Sequence, residues 1–243
     1  MRTASPPSTA TVSSNAFVWL RNVGGQKRSA GFTGAQVVGA ESITFGFCPI
    51  GHLYDDDTQL ENLRALKPQC ATLRAIAGSA LRRIRVDPLT MDGGYERLGL
   101  DPRADDGFGA VWAAHAAAAL ADAAVDAACF ARFGPPGAAL VARLATYAGA
   151  AARSVVADGP QALALGGLAL QPSHGASLLV LWNRSDEPAV ARLSGPLAAQ
   201  ARSIWRIGHG GEEEAAGGLA EGELELGAFE VAGLEVPAGW ARQ

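Results

Sequence analysis

The sequence feature that most constrains the fold is a change of pattern near residue 154. Before this point, apolar strand-like segments alternate with helical patterns. After it, short apolar segments follow one another, separated by Gly, Pro, Asn and Asp. The first pattern is typical of β/α units that form a parallel sheet. The second is typical of an antiparallel β-sandwich. The sequence therefore predicts an α/β region followed by an all-β region.

Four strands and three helices are predicted in the first region. The strands are at 17–23, 42–49, 81–89 and 125–133, and the helices are at about 58–76, 107–124 and 138–152. Pro68 has no backbone N–H, so it is predicted to kink the first of these helices or to mark a second start within it.

The chain is predicted to have three parts. Residues 1–16, rich in Ser, Thr and Pro, are expected to be a disordered leader. Residues 17–154 form the β/α region and residues 155–243 the sandwich. Within the sandwich, the run EEEAAGG at 212–218 is predicted to be a solvated hairpin loop.

The net charge and the hydropathy of the sequence argue against a nucleic-acid-binding protein and against a membrane protein. The net charge is −4 and no basic stripe is visible, so nucleic acid is not an expected partner. The first residues lack the apolar core of a secretory signal. The one long apolar stretch, AVWAAHAAAALADAAVDAACF, is interrupted by His115, Asp122 and Asp126, which favours a buried helix over a membrane span. We expect a cytoplasmic protein that is not bound to a membrane.

The cysteines are too few and too dispersed for a disulfide framework or a zinc site. Cys48, Cys70 and Cys129 lie far apart in apolar surroundings. Reduced, buried thiols are therefore predicted. Because no four-residue metal constellation is visible either, we expect no metal and no cofactor.

Titratable side chains follow the second predicted strand. The loop contains His52, Tyr54, Asp55, Asp56 and Asp57. A histidine held by a neighbouring carboxylate can act as a base near neutral pH. The alternative is structural: His52 bonds to loop backbone, and one of the aspartates caps the helix that follows, with Asp57 or Thr58 at the expected N-cap position. Both interpretations remain open at this point.

Four segments, in this order and spacing, resemble the D-apionate lactonase family. They are NVGG at 22–25, FGFCPIGHLYDDDTQLENL from Phe45, RIRVDPLTM from Arg83, and DPRADDGFGAVWAAHAAAALADAAVDAACF from Asp101. The resemblance covers most of residues 17–193. It implies a glycoside-hydrolase-like TIM barrel with a C-terminal β-sandwich, and the hydrolysis of a sugar-acid lactone. The family's Arg- and Asn-containing stretch after the third strand is missing from the loop after Met91.

The resemblance also implies that this chain supplies only the last four of the barrel's eight β/α units, which makes a half TIM barrel followed by an antiparallel β-sandwich. A half barrel exposes two strand edges and one face of the barrel interior. Three origins stay open: a fragment, one half of a split enzyme, and a half barrel that associates with itself. The expected partners are therefore a small sugar-acid or carbohydrate substrate, and a second copy or a missing N-terminal half.

Candidate site residues follow from the rule that catalytic groups of such barrels lie at the C-terminal ends of strands. His52, Asp55 and Asp56 are the predicted catalytic residues. The predicted substrate-binding residues are Asn22, Tyr54, Asp87 and Arg103.

The substrate-binding roles of Asp87 and Arg103 rest on their positions in the sequence, and Asp87 also has a purely structural interpretation. Asp87 precedes Pro88, so a turn that ends the strand is an alternative to a site carboxylate. Arg103, in a long loop, is the candidate residue for binding a carboxylate group of the substrate, whereas Arg83 and Arg85 are expected to form structural ion pairs.

No Glu lies at these strand ends, which argues against a retaining glycosidase. A non-catalytic remnant that binds carbohydrate or protein is the second hypothesis.

Overall fold

The computed structural model describes residues 9–11, 38–49, 55–91, 101–131, 133–194, 200–219 and 221–237. These residues belong to two compact units. Unit 1 consists of Met1–Arg97 and Ala123–Arg132, and unit 2 of Leu98–Asp122 and Phe133–Gln243. Two helices that the sequence assigns to the β/α region lie in unit 2. The predicted boundary at residue 154 stays a prediction.

Unit 1 contains a four-stranded sheet. Its strands, in sheet order, are β1 (Thr9–Thr11), β2 (Ser42–Phe47), β3 (Arg83–Thr90) and β4 (Ala127–Ala131). All three pairings are parallel, as the β/α pattern predicts. β1 lies inside the segment predicted to be a leader. The rest of that segment and the predicted first strand at 17–23 lie outside the described residues.

The helical segment after β2 has two starts. Helix α1 (Asp56–Asn62) leads through a 3₁₀ turn (Leu63–Ala65) into helix α2 (Leu66–Ala77). Pro68 occupies the first turn of α2, where a backbone N–H has no intrahelical partner in any case. The prediction that Pro68 marks a second start is confirmed.

The sheet of unit 1 has one apolar and one polar face. Ile84 and Val86 on β3 are 1 % and 0 % exposed, while Arg83 and Arg85 between them are exposed. Side chains alternate between the faces of a strand. The buried side chains of α1 and α2 are Gln59, Leu60, Leu66, Gln69, Cys70, Leu73 and Ala77. This distribution is typical of helices packed on one face of a parallel sheet.

Unit 2 contains two helices and eight strands among its described residues. The helices are α3 (Gly107–Asp122) and α4 (Pro135–Ala145). The strands are β5 (Ala151–Val155), β6 (Leu165–Gln171), β7 (Ser177–Asn183), β8 (Ala189–Arg192), β9 (Arg202–Gly208), β10 (Gly211–Gly218), β11 (Glu223–Leu226) and β12 (Val231–Val236).

The strands of unit 2 form two antiparallel sheets. Six strands lie in the order β10-β9-β12-β7-β6-β5, and β11 pairs with β8. Two predictions are corrected. Residues 212–218 lie in β10, paired with β9, and are not a hairpin loop. The helix predicted at 138–152 ends at Ala145, and residues 151–155 form β5.

The two faces of the six-stranded sheet have different coverings. Helix α3 packs against β5, β6, β7, β9 and β12. Trp182, on this face, lies over Gly166, and Trp205 lies over Gly233. A Cβ atom at either glycine would collide with the indole ring. On the other face, Leu179 and Leu234 join Leu224 and Leu226 of the two-stranded sheet in one apolar cluster.

The segment DPRADDGFG brings a backbone carbonyl of its turn against the backbone of two other positions in unit 2. A 3₁₀ turn at Pro102–Asp105 precedes α3. The carbonyl of Ala104 touches both Gly109 on α3 and Gly134 before α4, so closely that a Cβ at either glycine would collide with it. These two glycines let α3 and α4 approach the same turn.

Within the described residues, no helix combines the length and the apolar character needed to span a membrane. Helix α3, from the apolar stretch identified in the sequence, has 16 residues, and 11 of them are buried. The prediction of a buried helix is confirmed.

We expect Gly109→Ala to destabilise the protein by about 1–3 kcal/mol, because the new methyl group meets a backbone carbonyl that cannot rotate away. The matched control is Gly208→Ala, whose Cβ would meet only the Glu230 Cγ at 3.7 Å. Urea unfolding followed by circular dichroism measures both variants. Equal stability of the two variants would contradict this account of the segment.

The buried thiol of Cys70 leads to a second prediction, about how the free energy of unfolding depends on pH. It is 0 % exposed, and burial raises the pKa of its thiol from 9.0 to about 11, an effect that the Arg74 guanidinium partly offsets. Between these pH values the unfolded thiol ionises while the folded thiol keeps its proton, so the free energy of unfolding falls as pH rises. The fall is about 1.4 kcal/mol per pH unit.

Urea unfolding at about pH 8.5 and about pH 10.5 tests this prediction. The free energy of unfolding of the wild type should fall by about 2 kcal/mol more than that of Cys70→Ala. Burial and Glu235 also raise the pKa of Tyr147, but this residue is present in both proteins and cancels in the comparison. Equal pH dependence in the two proteins would refute the role of Cys70.

Candidate functional site

The carboxyl ends of β2 and β3 are neighbours in the sheet of unit 1. Phe47 pairs with Leu89, and both are buried. Asn62 of α1 donates its side-chain N–H to the carbonyl of Pro49 at 2.9 Å, which ties the segment after β2 to the helix. Pro49 is therefore held against α1.

Asp55 is the N-cap of α1. Its Oδ1 accepts a hydrogen bond from the Thr58 N–H at 2.8 Å. The prediction that an aspartate caps this helix is confirmed, but the cap is Asp55 and not Asp57 or Thr58. The accompanying prediction that His52 bonds to loop backbone lies outside the described residues. Asp56 and Asp57 lie in the first turn, where a negative charge interacts favourably with the helix dipole. Asp55 and Asp57 are exposed, and Asp56 is partly buried.

Asp87 lies within β3. Its Oδ2 forms an ion pair with the Arg85 Nη2 at 2.8 Å, and the side chains are 34 % and 53 % exposed. The turn alternative is wrong, because β3 continues to Thr90. The registers to β2 and β4 both shift between Val86 and Leu89, so the strand accommodates an extra residue beside Asp87. The ion-pair prediction is confirmed for Arg85.

Arg103 lies in unit 2 and is held by a neighbour. Its Nε and Nη2 donate to the two carboxylate oxygens of Asp101 at 3.0 and 2.8 Å. Its guanidinium also lies 5.1 Å from the centre of the Phe108 ring. The Asp101 side chain is 5 % exposed and that of Arg103 is 24 % exposed. The sequence analysis did not predict that Asp101 binds Arg103.

The other predicted site residues cannot be placed. Asn22, His52 and Tyr54 lie outside the described residues. Among the residues that are described, no group of three His, Cys, Asp or Glu side chains could hold a metal ion. His115 of α3 lies with its ring 5.9 Å from that of Trp182.

The predicted site residues that the structure describes are divided between the two units. Asp55 and Asp56 start the helix that follows β2, and Asp87 lies on the neighbouring strand. Arg103 belongs to the other unit. Asp55, Asp56 and Asp87 carry carboxylate groups, which accept hydrogen bonds.

Unit 2 also has an open groove of about 720 Å³. Its lining includes Val155, Leu165, Val190 and Leu193. The Gln161 side-chain oxygen accepts the Val190 N–H at 2.9 Å beside it. Among the described residues that line the groove, none is aromatic and none is a histidine.

Comparison with solved structures finds glycoside-hydrolase barrels of similar fold. The GH51 arabinofuranosidase from Xanthomonas axonopodis pv. citri matches with a TM-score of 0.56 at 12 % identity, over 96 % of this chain and 59 % of that one. The GH44 xyloglucanase from Paenibacillus polymyxa matches with 0.55 at 12 % identity, over 82 % and 47 %. The chain thus spans about half to three-fifths of the length of these structures. No curated protein matches the chain.

The fold is therefore that of a TIM-barrel-like domain accompanied by antiparallel sheets, which is the class of the glycoside-hydrolase-like barrels. A family model described as "D-apionate lactonase, TIM barrel domain" matches residues 36–157. The chain belongs to the D-apionate lactonase family.

The cap at Asp55 generates a prediction about stability. We expect Asp55→Ala to lower the free energy of unfolding by about 1 kcal/mol, and Asp55→Asn to retain most of it, because Asn also accepts the Thr58 N–H. Chemical denaturation measures both variants. A loss in Asp55→Asn as large as that in Asp55→Ala would show that the charge, and not the cap, stabilises the helix.

Proposed function

We propose that this chain is the C-terminal portion of a carbohydrate-active hydrolase that opens a sugar-acid lactone, as the family name indicates, and that it works together with further β/α units. The observation that carries the proposal is the family match at 36–157. This range contains the ends of β2 and β3 with Asp55, Asp56 and Asp87.

Hydrolysis of a lactone requires a base and hydrogen-bond donors. Water attacks the carbonyl carbon, the ring C–O bond breaks, and the proton taken from water ends on the departing ring oxygen. The product is a hydroxy acid. In this proposal His52 with Asp55 or Asp56 takes and returns that proton. Asn22, Tyr54 and Asp87 hold the sugar hydroxyls, and Arg103 faces a carboxylate group. No metal or other cofactor takes part.

The number of strands supports the requirement for further units. Four parallel strands are present in the described part of the chain, whereas a closed TIM barrel has eight. The neighbours with similar folds extend well beyond the matched part. The active form in this proposal contains additional β/α units, supplied by an N-terminal half or by a second copy.

Two further predictions, about the architecture and the location of the protein, complete the proposal. The six-stranded and two-stranded sheets act as the two layers of a β-sandwich, supported by the apolar cluster to which both contribute. The protein acts in the cytoplasm, supported by Cys70 and Cys129, neither of which forms a disulfide. The predicted burial of the thiols holds for Cys70, whereas Cys48 is partly buried and Cys129 is exposed.

A non-catalytic module that binds carbohydrate or protein is the alternative. It is favoured by the structural partners of two candidate carboxylates. Asp55 caps α1 and Asp87 pairs with Arg85, so both have roles that need no substrate.

An activity assay decides between the two functions. The chain is mixed with the separately produced N-terminal barrel half of a full-length D-apionate lactonase and assayed on a panel of sugar-acid lactones. We expect hydrolysis that Asp55→Asn lowers by about 100-fold or more in kcat, the scale of general-base catalysis. This variant keeps the helix cap, so lost activity reports on chemistry and not on folding.

The matched control is Asp57→Asn, which removes the same charge from the same helix turn and should keep its activity. Absence of hydrolysis from a mixture in which the two halves bind each other would refute the enzymatic function. An equal fall in both variants would refute the role of Asp55.

A further inference from the structure

The turn between β11 and β12 in unit 2 contains a residue with a strained backbone. Phe229 has a φ of 46°. Glycine adopts this left-handed conformation readily, whereas a bulky side chain adopts it only at a cost. Such a residue persists where the surrounding contacts hold it in place, and these residues are common near functional sites. The contacts of Phe229 therefore indicate what this turn does.

The backbone of this turn is held by hydrogen bonds on both sides of Phe229. The Asn183 side chain, which is 0 % exposed, donates from Nδ2 to the Gly227 carbonyl at 2.9 Å. The Glu230 Oε2 accepts the Gly227 N–H at 2.6 Å. The Phe229 N–H itself donates to the Ser185 carbonyl at 3.0 Å. A turn fixed in this way presents the Phe229 ring in one direction.

The Phe229 ring contacts Phe108 in the first turn of α3. The two ring centres are 5.5 Å apart and the ring planes are inclined by 82°, an edge-to-face arrangement that aromatic rings favour. Phe108 is 1 % exposed. The Phe229 carbonyl also lies against Gly107, so closely that a Cβ atom there would collide with it. The turn therefore fixes the start of α3 through both its ring and its backbone.

Arg103 lies on the same Phe108 ring. Its guanidinium carbon is 5.1 Å from the centre of that ring, within the range of a favourable cation–π contact. Asp101 binds the guanidinium through Nε and Nη2. The guanidinium is thus oriented by a carboxylate and by an aromatic ring, and the position of that ring depends on Phe229.

We propose that Phe229 is a positioning residue: its ring, held by the strained turn, orients Phe108 and through it the Arg103 guanidinium. The use of Arg103 to bind a carboxylate group of the substrate rests on the proposed function, whereas the chain of contacts does not. The inference gives the antiparallel sheets of unit 2 a role in substrate binding, because the turn that supplies Phe229 joins two of their strands.

The positioning of Arg103 is tested by NMR on the chain alone. The readout is the Nε–H signal of Arg103, assigned with the variant Arg103→Lys. An aromatic ring shifts the signals of protons near its face, so this signal reports where the Phe108 ring lies. We expect Phe229→Ala to move the signal towards that of exposed arginines, and to speed its exchange with water by about tenfold or more, because the contact opens locally.

A second variant separates positioning from stability. Phe229→Gly removes the same ring but adopts a φ of 46° without strain. We expect Phe229→Gly to have a higher urea midpoint than Phe229→Ala, and the Arg103 signal to move equally in both. The control is Leu234→Ala, which removes an apolar side chain from the cluster on the opposite face of the six-stranded sheet and should leave the signal in place.

The link to substrate binding is tested by kinetics. Each Phe229 variant is mixed with the separately produced N-terminal barrel half of a full-length D-apionate lactonase and assayed on sugar-acid lactones. We expect KM to rise by about tenfold, because a misplaced guanidinium binds the substrate less well. We expect kcat to stay within about twofold, because Arg103 binds the substrate and transfers no proton.

Two NMR results would overturn the inference: an Arg103 signal that both Phe229 variants leave unchanged, and a signal that follows the urea midpoint, moving more in Phe229→Ala than in Phe229→Gly. An unchanged KM in an active mixture would overturn the link to substrate binding. The proposed function fails separately. Absence of hydrolysis with the wild-type chain refutes that function, while the NMR result on the chain alone still decides whether Phe229 positions Arg103.

Discussion

A parallel sheet needs cover on both faces, and this requirement organises unit 1. On one face Ile84 and Val86 are removed from water, while α1 and α2 bury apolar side chains of their own. At about 25 cal/mol per Å² of apolar surface removed from water, such burial is the main stabilisation available to a sheet of four strands. The opposite face carries charged side chains instead. The same sheet therefore provides the stable core of the unit and a charged, exposed face.

The segment that most clearly resembles the family has a structural role. In DPRADDGFG, Asp101 holds the Arg103 guanidinium, and the Ala104 carbonyl lies against Gly109 and Gly134. A buried carboxylate paired in this way cannot lose its partner without a large cost, and no side chain fits at either glycine. The segment thus fixes how the turn, α3 and α4 pack in unit 2. It indicates the family because it specifies the fold.

The aspartates near the strand ends serve the fold as well as any chemistry. Asp55 satisfies a helix N–H that would otherwise lack a partner, and Asp87 neutralises Arg85 beside it. Neither role excludes catalysis, because an exposed cap and a half-exposed ion pair can both exchange their partners for a substrate. The two roles differ in what they require: capping needs an oxygen, which Asn supplies, while proton transfer needs a carboxylate.

The sequence alone determined the parallel sheet with its following helices, the second helix start at Pro68 and the buried helix α3, because these depend on local patterns and on the missing proline N–H. It also indicated the family. Only the tertiary structure decided that residues 212–218 form β10, since Glu, Ala and Gly favour strands weakly and the pairing with β9 overrides that preference. It likewise decided that Asp55 is the cap and that Arg103 binds Asp101. Which of several nearby side chains forms a bond depends on the path of the backbone, and that path is set by contacts between residues distant in the chain.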